Sequence, residues 1–191
     1  LDPARPPADG DDVVAALCRV KGRLQAANRG DLGSYPDRLY SRYVRAQALA
    51  QARFHTEEVT FERLQGLLAE ACCGALDDLK AMAARVESVS GLDGQGARRR
   101  LGGADETLTA AERDALERRV ALIDDTEGEV REIGGRIEQV MTALDDAIVA
   151  VARVATDQSQ ASVTVSRTLD DLRRFSQGAA RYARPGREGG S

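Results

Sequence analysis

Residues 91–106 read GLDGQGARRRLGGADE, five glycines around the triplet Arg98-Arg99-Arg100. Glycine-rich loops cradle phosphates when their amides converge between a strand and a helix and a Lys-Ser or Lys-Thr follows, as in G-x-x-x-x-G-K-[ST]. Neither the strand nor the lysine is present, and Gly94-Gln95-Gly96 is an isolated G-x-G. The segment is expected to be a flexible bend over 91–107 between two long helices. Arg98, Arg99 and Arg100 would be displayed there for an anionic partner.

A second basic stretch, LRRFSQGAARYARPGR at 172–187, interleaves Arg173, Arg174, Arg181, Arg184 and Arg187 with Phe175 and Tyr182. Cations alternating with aromatics suit an anionic membrane surface or a polyanion backbone. The plainer reading is favourable charge near a helix C-terminus, with the aromatics closing the end of a bundle. The aromatics Tyr35, Tyr40, Tyr43, Phe54 and Phe61 also fall in one region, as core packing or as a partner surface.

Acid–base and metal chemistry finds little purchase. His55 is the one histidine, with Glu58 and Glu62 on roughly its own helix face, and neither H-E-x-x-H nor E-x-x-H occurs. The doublets Asp77-Asp78, Asp124-Asp125, Asp145-Asp146 and Asp170-Asp171 are expected to straddle a solvated helix face. No G-x-S-x-G elbow is found. The expectation is therefore a protein that is not an enzyme, with no catalytic, metal or cofactor site, no cofactor and no small-molecule substrate.

Cys18, Cys72 and Cys73 have neither disulfide nor zinc spacing. Neighbouring helical residues point about 100° apart, so Cys72 and Cys73 cannot face one partner together. Buried filler in a reducing, cytoplasmic compartment is the expectation. A net charge of −4 argues against general nucleic-acid affinity. The apolar residues are chiefly aliphatic, Trp is absent and Phe and Tyr together number seven. Such a composition suits helix–helix seams better than an aromatic-walled pocket.

The elements that would position these residues are helices. All five prolines lie at 3, 6, 7, 36 and 185, leaving a long proline-free body. Residues 1–10 are expected to be a disordered leader and 184–191 a disordered tail, around one helical coiled-coil domain over 11–183. A first helix, about 11–29, carries Val13, Leu17, Val20 and Leu24 at helical spacing and stops at Asn28-Arg29-Gly30. A second, 36–90, opens after Ser34 and repeats Phe54, Phe61, Leu68, Ala75, Met82 and Val89 every seven residues, with Cys72, Leu79 and Val86 between.

A third helix, 109–183, starts in the capping box Thr109-Ala-Ala-Glu112. It keeps two heptad rows, from Leu116 through Ile123, Val130, Ile137, Leu144, Val151 and Val165 to Leu172, and from Val120 through Met141, Ile148 and Ser162 to Leu169. About 75 helical residues make a rod of roughly 110 Å. With the bend centred near 99, facing residues would total about 198, setting Phe61 against Ile137 and Gly66 near Gly134-Gly135.

The fold expected is all-α: an elongated antiparallel helical hairpin or three-helix coiled-coil bundle with one very long C-terminal helix. The choice depends on whether DLGSYP at 31–36 kinks the chain or reverses it; its local cap and proline favour reversal. Function is expected to be helical interaction or assembly, as scaffold, adaptor or spacer, with protein partners and homo-oligomerisation. The alternatives are a peripheral binder of anionic membrane or polyanion, and a signalling bundle that switches at Gly134-Gly135 and at the polar layers Gln158, Ser162 and Ser176.

Overall fold

The computed structural model describes residues 10–54, 59–103 and 108–154. Among them the chain is all-helical, without strands. The helices are α1 (Gly10–Ala26), α2 (Ser34–Arg53), α3 (Val59–Val89), α4 (Gly94–Gly102) and α5 (Ala110–Val154), with a single 3-10 turn at Gly30–Gly33. Residues 1–9 of the expected 1–10 leader, the tail, and the continuation of the last helix from 155 to 183 lie outside the described residues, while Gly10, the last residue of that expected leader, already belongs to α1.

α1 ends where its sequence says it should. Asn28 adopts a left-handed φ of 60°, which Asn tolerates better than most residues. Arg29 N–H then reaches back to the Leu24 carbonyl at 2.9 Å and Asn28 N–H to that of Gln25 at 3.0 Å, the Schellman pattern that satisfies orphan carbonyls. The 3-10 turn completes a reversal, and α2 returns beside α1 with Lys21 bonded to Asp37 at 2.7 Å. Pro36 sits buried in the first turn of α2, where no helical N–H is required of it. Ser34 opens α2 without a side-chain cap bond.

The expected continuous helix over 36–90 is broken. Phe54 is extended, with φ −115° and ψ 146°, and its N–H closes α2 on the Ala50 carbonyl. Directions follow from contacts to α5. Tyr35 lies over Gly134, Arg38 bonds Glu138 and Arg42 bonds Asp145, so α2 runs parallel to α5. Asp78 pairs with Arg136 and Arg85 with Glu129, so α3 runs antiparallel. The chain has therefore reversed between Phe54 and Val59, and α1, α2, α3 and α5 alternate in direction as a four-helix arrangement. α2 and α3 lie between α1 and α5, which make no contact with each other. The two- and three-helix schemes missed this second reversal.

The core is built from the rows the heptads mark. Val13, Leu17, Val20 and Leu24 of α1 are buried with Phe61, Leu68, Ala75, Leu79 and Met82 of α3 and with Val130, Ile137, Met141, Leu144 and Val151 of α5. The level of pairing differs from the symmetric-bend expectation. Facing residues of α3 and α5 total 214 (78 with 136, 85 with 129), because α4 occupies the connection and moves the turn toward α5. Phe61 therefore does not face Ile137, and Gly66 stands far from the Gly134-Gly135 level. Gly134 instead admits Tyr35: a Cβ there would stand 3.0 Å from the Tyr35 hydroxyl.

Candidate functional site

The glycine-rich connection is where the sequence placed its chemistry, and it holds a helix rather than an open bend. Asp93 caps α4 by accepting a hydrogen bond from Gly96 N–H at 2.7 Å. That carboxylate occupies the N-terminal position at which a bound anion would sit. A Cβ at Gly96 would fall 2.0 Å from Asp93 Oδ2, and one at Gly94 would fall 2.8 Å from the Ile123 methyl on α5. Here the glycines allow close approach to a cap and to a neighbouring helix. Ala97 is buried against α5.

The arginine triplet is divided by this docking. Arg98 crosses to α5 and pairs with Asp124. Arg99 and Arg100 are exposed, and among the described residues neither has an acidic partner. Arg173, Arg174, Phe175, Arg181 and Tyr182 lie outside the described residues, as do His55, Glu58 and the Asp170-Asp171 doublet.

The remaining acid doublets are not simply solvated faces. One member of each turns toward a neighbouring helix. Asp78 is buried and accepts from Arg136 Nη2 at 2.7 Å and Nε at 3.2 Å. Asp124 takes Arg98, and Asp145 takes Arg42 Nε at 2.8 Å. Arg29 of the α1–α2 turn reaches Glu127 at 2.6 Å. These cross-helix pairs were missed in the sequence, although the acids flank the heptad rows where such pairs form. Among the described residues no group of three or more His, Cys, Asp or Glu is placed to hold a metal ion.

The aromatic cluster is divided between core and surface. Tyr43 and Phe61 are buried, Tyr35 and Phe54 are partly covered, and Tyr40 is exposed. The Arg38 guanidinium lies 5.8 Å from the Tyr35 ring centroid, and the Tyr43 hydroxyl accepts from Gln47 at 2.7 Å. Burial raises the Tyr43 phenol above its ordinary value, with Cys72 and Cys73 adding to the effect. Cys72 alone is buried filler; its thiol is pushed up to about 12, chiefly by burial. Cys18 and Cys73 are exposed and form no disulfide.

The first part of α5 differs in character from the rest. From Glu127 to Asp145 most charged residues flanking the seam pair with another helix. Over 110–125, Arg113, Asp114, Glu117, Arg118, Arg119 and Asp125 are exposed and have no ion-pair partner among the described residues. Only the side bearing Leu116, Val120 and Ile123 is shielded, and α4 is the helix at that level. Leu122 is 53% exposed.

No protein-family model matches this chain, and no match to it is found among curated proteins or solved structures. Among the described residues no helix is long and apolar enough to cross a membrane.

Proposed function

We propose that this is a non-catalytic helical assembly protein, a scaffold, adaptor or spacer whose working surfaces are helix faces and bundle ends, and that it associates with itself. The observation that carries the reading is continuity of the apolar rows. Ile137, Leu144 and Val151 are buried against neighbouring helices. In the sequence the same row runs on through Gln158, Val165 and Leu172, after α2 and α3 have each been used once in covering it. A stripe of that kind gains stability only against another helix. The continuation of that row through Val165 and Leu172 would then join copies or partners in a coiled-coil seam.

Light scattering on the eluting full chain tests this. A mass of two or more 20.5 kDa chains at micromolar concentration supports the reading, and a strict monomer up to tens of micromolar refutes self-assembly. Co-sedimentation with anionic vesicles at low salt tests the rival membrane or polyanion reading through Arg98, Arg99, Arg100, Arg173, Arg174, Phe175, Arg181 and Tyr182. Binding that vanishes on charge removal there would replace assembly as the primary function.

A further inference from the structure

We propose that the α5 face carrying Ala111, Ala115 and Leu122 seats a second copy of this chain, laid antiparallel so that Arg118 of each copy meets Asp114 of the other. The proposal rests on the self-assembly reading and gives it a location.

The register defines the face. With facing residues of α3 and α5 totalling 214, the last residue of α3, Val89, stands level with Asp125. Residues 110–125 of α5 therefore project past the end of α3 by about 24 Å. Ala115, Leu122, Glu129 and Arg136 form one heptad row. Its last two members bond α3, through Arg85 and Asp78. Its first two, Ala115 and Leu122, keep the same side of α5 after α3 has ended, so the side that packs on α3 lower down is apolar here and faces no helix among the described residues. α4 does not substitute for α3: its contacts, Gly94 with Ile123 and Arg98 with Asp124, lie on another side of α5.

Charge identifies the occupant. Lower on α5, Glu129, Arg136, Glu138 and Asp145 are each paired with a neighbouring helix, whereas Asp114 and Arg118 flank this row unpaired among the described residues. An antiparallel pair of α5 helices centred near residue 116 brings Asp114 opposite Arg118 twice, once on each side of a two-fold axis. The same alignment sets Leu122 beside Ala111 of the other copy and the two Ala115 residues near the axis, where small side chains permit close approach. The surface is thus complementary to itself, as an isologous contact requires.

The test uses the full chain carrying Cys18→Ser and Cys73→Ser, with Cys72 retained in the core. Ala115→Cys in this background should give a disulfide-linked dimer under mild oxidation. Val149→Cys, on an exposed position of the same helix at the other end, should not. Arg118→Asp should weaken association about tenfold or more, and adding Asp114→Arg should restore it by exchanging the charges. Cross-linking at 115 no greater than at 149, or failure of the exchange to restore association, overturns the proposal. If light scattering still reads a dimer in that case, the face is wrong and the assembly reading stands; a monomer removes both. A monomer in which position 115 is shielded from maleimide also overturns it, by placing another segment of the same chain on the face.

Discussion

The ion pair between Asp78 and Arg136 offers a quantitative check on how the helices are registered. Arg136 Nη2 lies 2.7 Å from Asp78 Oδ1, and Lys21 Nζ lies at the same 2.7 Å from Asp37 Oδ2. Distance alone would make the two pairs equal. Burial separates them: the Asp78 and Arg136 side chains are 10% and 32% exposed, those of Asp37 and Lys21 61% and 37%. Removing one partner of the covered pair leaves a desolvated charge, a loss on the order of 3 kcal/mol. Removing both avoids that penalty, so the coupling energy from a double-mutant cycle should be about 1.5–3 kcal/mol. For Lys21 and Asp37, solvent screening and side-chain entropy should hold the coupling to about 0.2–1 kcal/mol. Urea titrations of the single and double alanine variants, followed by far-UV circular dichroism, measure both. A coupling for Asp78 with Arg136 below about 0.5 kcal/mol, or no larger than that of the surface pair, would refute the antiparallel register totalling 214 and everything derived from it.

Adjacent glycines should respond in opposite ways. Gly134→Leu meets Tyr35 and Met82 and should cost about 1–3 kcal/mol; Gly135→Ala, with nothing within 4 Å of its Cβ, should gain up to about 1 kcal/mol, both read by urea titration. Iodoacetamide at neutral pH should add two groups to the native chain, at Cys18 and Cys73, and a third at Cys72 only in denaturant, as counted by mass spectrometry. On acidification, the Arg23 bond holds the Glu87 carboxyl below its ordinary 4.5, and Arg29 holds Asp31 below its ordinary 3.8. The stabilisation from such carboxylates is complete above those ordinary values and disappears as the pH falls through the lower folded ones. The melting temperature should therefore drop below about pH 4.5, and less steeply in Arg23→Met; an unchanged slope in that variant would count against the Glu87 contribution.

Local chemistry made much of this fold readable in advance. The Asn28 stop and the Thr109–Glu112 box, with Thr109 N–H on Glu112 Oε2 at 2.9 Å and Glu112 N–H on Thr109 Oγ1 at 3.3 Å, depend on residues only a few positions apart. The buried rows were readable because burial in paired helices follows heptad spacing. The reversal after Phe54 was not, because Phe54 and Phe61 keep that spacing across it and neither glycine nor proline marks it. The one trace is Thr56-Glu57-Glu58, a capping type followed by two acids. α4 was hidden by its composition. Gly94, Gly96 and Gly102 lower intrinsic helicity, and the helix draws on Asp93, Ala97 and the surface of α5, which are tertiary facts. The division of Arg98 from Arg99 and Arg100 was invisible for the same reason, since it depends on where Asp124 stands.

The alternation of helix directions also fixes how the molecule would carry load. α1 begins opposite the later part of α2, to judge from Lys21 beside Asp37, and α2 runs parallel to α5. Gly10 and Val154 therefore emerge at the same end, on opposite sides of the α2–α3 pair. Tension applied between these two points would open the bundle like a zip, one rung of side chains at a time, instead of shearing whole interfaces at once. The far tip formed by α4 and the start of α5 would bear almost none of that strain until the last rungs part.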